Sequence, residues 1–107
     1  MFTAAHLVLF VRAVERAELP LARYFQRWGG ITVQQLARAQ HSGNTLLHWL
    51  FTHIPNNPEV VRYLRRELGL QRKSARLYKD QLLKSLARHN NADLLLCYLE
   101  EFGGGAD

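Results

Sequence analysis

One pattern occurs three times in this chain and limits its fold more than any other feature. Each copy has a short apolar helix, a tight polar turn, a second helix and a closing glycine. The copies span about residues 5–30, 43–69 and 80–103. Tyrosines occupy equivalent positions in the three second helices, at Tyr24, Tyr63 and Tyr98. Because short helices joined by short turns pack as antiparallel pairs, three such pairs predict a stack of helices.

The pattern predicts an all-α protein with one domain over residues 1–103 and a short tail at 104–107. Glycine adopts the left-handed conformation that follows many helices at no steric cost, so we expect Gly29, Gly69 and Gly103 to end the second helices. Pro58 suits a first helical turn, and Thr32 can cap a short helix over 32–39. No alternating pattern has a useful strand length, so we expect no β-sheet core.

The second copy contains two recognisable segments. Residues 43–48 read Gly-Asn-Thr-Leu-Leu-His, residues 59–64 read Glu-Val-Val-Arg-Tyr-Leu, and Gly69 closes the copy. Together these segments resemble the ankyrin repeat, although Leu46 stands where that repeat usually has proline. The resemblance implies a short α-solenoid of about three ankyrin-like helix-loop-helix repeats, in which a threonine caps the first helix and His48 bonds neighbouring loops. The alternative is an unrelated helical bundle with a chance match.

The resemblance also implies a function. Ankyrin-like proteins bind other proteins without catalysis, through loop tips and the concave face of the stack. Carried onto the second copy, the partner-binding positions are His41, Ser42, Asn44, Thr52 and His53. In the third copy they are Leu77, Tyr78, Asp80, Arg88 and His89. Small ankyrin-like proteins occur in eukaryotes, in bacterial effectors and in viruses, so a regulator and an inhibitor directed at a host protein are both open.

Positive charge is unevenly spread along the chain. The formal net charge is +5, most basic residues lie between 62 and 88, and residues 93–107 carry acidic groups only. The connector between the second and third copies mixes cations with one aromatic ring, in Arg72, Lys73, Arg76, Tyr78 and Lys79. This composition favours a partner protein with an acidic surface. A small basic helical domain that binds nucleic acid is the alternative, because cations beside an aromatic ring also bind single strands.

Histidines and Cys97 are the candidates for catalysis or metal binding, and their positions favour neither. His48 and His53 do not share the helix face that a zinc-binding pair at i and i+4 requires. Cys97 lies among leucines and is predicted to be a buried thiol. We therefore expect no catalytic residue, no bound metal and no cofactor.

The longest apolar run, residues 6–11, is far shorter than the ~20 residues of a membrane-spanning helix. We therefore expect no membrane contact. A single cysteine cannot form an internal disulfide, which favours the cytoplasm or the nucleus. Residues 7–11 are consecutively apolar, so the first helix needs cover on more than one side. Folding of the 32–39 segment over this helix, a homodimer through the first copy, or docking on a partner would supply that cover.

Overall fold

The computed structural model describes residues 4–103. Its eight helices are Ala4–Glu15 (α1), Leu19–Gly29 (α2), Val33–Arg38 (α3), Leu46–Thr52 (α4), Pro58–Arg66 (α5), Arg72–Leu77 (α6), Lys79–His89 (α7) and Ala92–Phe102 (α8). Gln40–His41 (β1) and Asn44–Thr45 (β2) form a small antiparallel hairpin. Residues 4–103 are thus mostly helical, which confirms the all-α prediction. The predicted tail at 104–107 lies outside the described residues.

Local capping sets several helix boundaries. Thr32 and Gln35 form a reciprocal capping box, in which the Thr32 side chain accepts from the Gln35 amide and the Gln35 side chain accepts from the Thr32 amide. Thr45 Oγ1 accepts a hydrogen bond from the His48 amide at 3.1 Å and so begins α4. Pro58 lies in the first turn of α5, where its missing N–H costs no helical hydrogen bond. The predictions at Thr32 and Pro58 are confirmed.

Helix α4 connects most of the other elements. It contacts both α1 and α7, and α3 and the hairpin pack against it as well. Helix α1 also packs along α2, and α5 packs along α8. A single core runs through these contacts, and Phe10, Phe51, Tyr63 and Leu94 are among its fully buried side chains. The helix pairs are therefore joined by one continuous apolar interior.

Arginine–carboxylate pairs join the second helices of the three copies. Arg23 of α2 donates two hydrogen bonds to Glu67 beyond the end of α5, at 2.9 and 2.7 Å. These bonds hold the pKa of the Glu67 carboxyl below its usual value. Arg66 of α5 donates to both oxygens of Glu101 in α8, at 2.9 and 2.7 Å. Because Glu101 is buried, this second pair satisfies a carboxylate that has left water.

The hairpin was not predicted from the sequence, although it is too small to form a β-sheet core. Its strands have two residues each, with Gln40 opposite Thr45 and His41 opposite Asn44. The turn between them is Ser42-Gly43, and both residues have positive φ, 55° and 86°. Strands this short contain no alternating pattern, so only the turn residues could have indicated them.

The three closing glycines behave differently from one another. Gly69 has φ 86°, as predicted. Gly29 is still helical, and Gly30 takes the left-handed conformation instead, with φ 60°. Gly103 ends α8, as predicted, but its backbone is extended and not left-handed, with φ −82° and ψ 133°. Its amide donates to the Leu99 carbonyl, which closes the last turn of α8 without a left-handed residue.

The basic connector contains a helix that was not predicted from the sequence. Residues 72–77 form helix α6, and α7 begins at Lys79, close to the expected start of the third copy near residue 80. Ala75 is fully buried, so packing of this residue against the core holds a polar segment in a helical turn. Arg72, Lys73 and Arg76 consequently lie on a helix and not at a loop tip.

The first helix is largely covered by the rest of the chain. Leu7, Phe10 and Val11 are buried and Val8 is partly buried, whereas Leu9 is exposed. The cover comes from α2 and α4, while the segment expected to fold over α1, now α3, packs on α4. Phe10 is therefore not available for a contact between copies. No helix within residues 4–103 has both the length and the apolar character to cross a membrane.

Candidate functional site

A two-part groove follows the exposed side of α4. The first part is bordered by the hairpin and has a volume of about 240 Å³. Its lining residues are His41, Ser42, Asn44, His48, Trp49, Thr52 and His53. The second part continues toward α1 and α7 and has a volume of about 420 Å³. Its lining residues are Glu15, Arg16, Trp49, His53, Ile54, Pro55, Ser85, Arg88 and His89. Trp49 and His53 belong to both parts, so we call the whole the Trp49 groove.

The sequence of α4 separates a core face from a groove face. Leu46, Leu47, Leu50 and Phe51 are buried. The remaining side chains of the helix, at 48, 49 and 52, lie one helical turn or less apart and line the groove. Thr52 Oγ1 donates to the His48 carbonyl oxygen at 2.8 Å, so the Thr52 hydroxyl is held against its own helix.

Trp49 lies at the centre of the groove and is held on several sides. Its indole Nε1 donates a hydrogen bond to Glu15 Oε2 at 3.1 Å. The His41 ring stacks on it with ring centres 5.0 Å apart and an interplanar angle of 16°. The Arg12 guanidinium lies 5.7 Å from the centre of the indole ring, and the His53 ring meets it edge-on. Trp49 is therefore an oriented, partly buried aromatic surface at the junction of α1, α4 and the hairpin.

The α7 side of the groove is fixed by hydrogen bonds to the turn that follows α4. Arg88 donates to the Thr52 carbonyl oxygen at 3.1 Å, and His89 Nε2 donates to the Ile54 carbonyl oxygen at 2.6 Å. Ser85, which is buried, accepts from the Ile54 amide at 3.0 Å and donates to its carbonyl at 3.3 Å. This part of the groove thus has a rigid backbone wall with Arg88 exposed beside it.

Cations outnumber carboxylates around the groove. Arg12, Arg16 and Arg88 surround it, and Glu15 is the single acidic residue among those that line it. The Glu15 carboxylate already accepts the Trp49 indole hydrogen bond. Four of the five histidines of the chain add imidazole groups to the lining. The groove can therefore donate hydrogen bonds to an anionic ligand while Trp49 offers an apolar contact.

Seven of the fourteen residues proposed from the sequence to bind a partner meet in this groove. Those from the second copy are His41, Ser42, Asn44, Thr52 and His53, which line its first part. Arg88 and His89 from the third copy line its second part. Residues far apart in the sequence are brought together because α4 and α7 pack side by side.

The other seven residues lie elsewhere. Arg72, Lys73, Arg76 and Leu77 are on α6, Tyr78 follows that helix, and α7 begins with Lys79 and Asp80. The Tyr78 ring stacks on Phe51, with ring centres 5.4 Å apart and an interplanar angle of 24°, and it also meets the His48 ring. Tyr78 therefore serves as a packing residue, and the connector lacks the exposed aromatic platform that was predicted for it.

The sequence interpretation missed three groups of the groove. Trp49, Arg12 of α1 and Arg16 in the turn after α1 were not among the residues proposed to bind a partner. Aligning the first copy with the second would have indicated the two arginines, because α1 lies beside α4 as the corresponding helix of the preceding copy. His48 was expected to bond neighbouring loops. Within residues 4–103 its imidazole makes no hydrogen bond, and its contact is the edge of Tyr78.

Residues 4–103 contain no group of three or more His, Cys, Asp or Glu side chains that could hold a metal ion. Cys97 is buried, as predicted, and burial raises the pKa of its thiol. Comparisons with protein-family models, with curated proteins and with solved structures find no match to this chain. The groove is therefore interpreted from its own geometry and charge.

Proposed function

We propose that this chain is a non-catalytic protein-interaction module, and that an acidic segment of a partner protein binds in the Trp49 groove. We also propose that its helix pairs form a divergent ankyrin-like solenoid of about three units. Two features support the solenoid: the Ser42-Gly43 hairpin leads directly into the Thr45-capped α4, and α4 contacts the first helix of both other units. Such a module regulates or inhibits its partner by occupying the partner's surface.

The observation that carries the proposal is the convergence of two kinds of group in one groove. Trp49 provides an oriented apolar surface of the kind that anchors protein interfaces. Arg12, Arg16 and Arg88 surround it with positive charge, and guanidinium groups bind carboxylates through two parallel hydrogen bonds. A peptide segment with an apolar side chain flanked by Asp or Glu matches both features.

Binding of single-stranded nucleic acid is the second candidate, and the arrangement of the connector does not favour it. Lys73, Arg76 and Lys79 are exposed, but Tyr78 is partly buried and its ring already stacks on Phe51, which leaves less of the ring for stacking a base. The basic patch of α6 therefore has charge with little of the aromatic surface that such binding requires. Nucleic acid remains a defined outcome of the test below.

The test uses peptide-display selection on the whole chain, followed by affinity measurements on two charge-matched variants. We expect the selected peptides to combine Asp or Glu with an aromatic or large aliphatic residue. Arg16→Glu places a negative charge in the groove, whereas Arg76→Glu makes the same change on α6, away from the groove. We expect Arg16→Glu to weaken peptide binding roughly tenfold or more, and Arg76→Glu to change it less than about twofold.

Three results would contradict the proposal. The first is selection of peptides without acidic residues. The second is the reverse ranking of the two variants, which would move the binding surface to α6. The third is displacement of the selected peptide by an oligothymidylate together with a steep loss of affinity in added salt, which would indicate phosphate contacts.

A further inference from the structure

Helix α8 has an apolar face that the other described residues, 4–91 and 103, leave uncovered. Leu95, Leu96 and Leu99 are exposed, with Leu96 at 55 %. They lie on the opposite side of the helix from Leu94 and Cys97, which are buried where α8 packs on α5. The exposed Leu83 of α7 and a groove of about 520 Å³ extend this face toward the turn between α7 and α8. We call it the α8 face.

Helix α2, at the other end of the order of second helices, has an exposed face of its own. Leu21, Tyr24 and Trp28 are spaced by three and four residues, so they form one stripe along the helix. Trp28 is 56 % exposed, and the Tyr24 and Trp28 rings are parallel, with centres 6.3 Å apart and an interplanar angle of 4°. We call this stripe the α2 face. Exposed aromatic groups of this size commonly mark a contact surface.

The two helices carry exposed charges of opposite sign. Helix α2 contains no acidic residue; its Arg27 lies beside Tyr24 and Trp28, whereas Arg23 is already paired with Glu67. Helix α8 contains no basic residue; its Asp93 and Glu100 are exposed, whereas Glu101 is buried against α5. Two α2 faces would repel each other, as would two α8 faces, whereas an α2 face and an α8 face attract.

The contacts within the chain show how its second helices join. Arg23 of α2 pairs with Glu67 after α5, and Arg66 of α5 pairs with Glu101 of α8. Both steps include an arginine–carboxylate pair, and the step from α5 to α8 combines its pair with close helix packing. Helices α2 and α8 are the first and last of this series. Each therefore packs against the chain on one side and leaves its other side exposed. A junction between α8 and the α2 of another molecule would repeat the same two kinds of contact.

We propose that the α2 face of one molecule docks on the α8 face of a second copy, so that the chain assembles head to tail. The interface is heterologous, because two different surfaces meet, and the assembly therefore continues beyond a dimer unless the rotation closes a ring. Both faces lie outside the lining of the Trp49 groove, so this proposal is independent of the proposed binding function.

The test mixes two variants that each lose one face. Trp28→Glu disrupts the α2 face and Leu99→Glu the α8 face. Both positions are exposed, so folding should be retained, and circular dichroism checks this. In analytical ultracentrifugation we expect the mass of the wild-type chain to rise with concentration past that of a dimer. Each variant alone should remain at the 12.4 kDa monomer mass. An equimolar mixture should form a dimer and nothing larger, because one intact face of each kind remains.

Leu77→Glu is the matched control, since Leu77 is 76 % exposed but lies on α6, outside both faces. This variant should associate like the wild-type chain, and added salt should weaken both. A wild-type chain that stays monomeric up to millimolar concentration would overturn the proposal. So would variants that still self-associate singly, or a mixture that fails to dimerise. Should either first variant fail to fold, Tyr24→Glu and Leu96→Glu provide the same test on the same two faces.

Discussion

Ser85→Ala is expected to lower the free energy of unfolding by about 1–2 kcal/mol. Ser85 is fully buried, and its hydroxyl satisfies the Ile54 amide at 3.0 Å, in the turn between α4 and α5. Alanine would leave that buried N–H without its partner, which costs about 1–3 kcal/mol. The Ile54 carbonyl keeps its bond from His89, so only the amide is orphaned. Alanine is also the better helix former, which returns up to about 0.7 kcal/mol in α7.

Urea unfolding followed by circular dichroism measures this change. The midpoint should fall while the slope against urea stays constant, because the surface exposed on unfolding is unchanged. In a thermal melt the midpoint should drop by about 4–15 °C for a domain near this size. Ser74→Ala in α6 is the control. It is the same serine-to-alanine change at a partly buried position, and it lies outside the α4–α7 contact. If the two variants unfold at the same urea concentration, the bond between α7 and the turn after α4 does not stabilise the fold as argued.

Three further changes have defined outcomes. His48→Ala should cost about 0.5–1.5 kcal/mol in a urea titration, because the ring loses its edge contact with Tyr78; a loss above 3 kcal/mol would mean that its imidazole makes buried hydrogen bonds. Gly69→Ala should cost about 1–2 kcal/mol in the same assay, since alanine is strained at φ 86°, and an unchanged midpoint would contradict this. Burial raises the pKa of the Tyr63 hydroxyl and the Cys97 thiol, so the unfolded chain releases these protons first as pH rises. Stability should therefore be flat near neutral pH and fall above about pH 9, and a stability that increases there would refute the assignment.

Helix caps could be predicted from the sequence because they depend on residues three or four positions apart. Thr32 and Pro58 took the positions expected of them for this reason. The choice between Gly29 and Gly30 as the left-handed residue could not be made, since adjacent glycines are equally suited to it. Gly103 shows the limit of the rule: glycine permits the left-handed conformation but does not require it.

Features that depend on tertiary packing could be predicted from the sequence only in part. Helix α6 is short, and no side chain caps its N-terminal end, so burial of Ala75 decides its conformation. The groove was found only in part, because the resemblance of residues 43–69 to the ankyrin repeat covers α4 and the hairpin but not α1. Arg12 and Arg16 join the groove only when α1 packs beside α4, which no local pattern predicts.

The chain contains two tryptophans, and they lie on different surfaces. Trp49 is in the groove, whereas Trp28 is on the α2 face. The two indole N–H resonances therefore report on the two surfaces separately in one NMR spectrum. The spectrum of the Trp28→Phe variant, which lacks one resonance, assigns them. On titration of a selected acidic peptide into dilute protein, we expect the Trp49 resonance to shift in a saturable way while the Trp28 resonance stays fixed. A peptide that shifts Trp28 alone, or that binds without moving Trp49, would contradict the assignment of the Trp49 groove as the binding site.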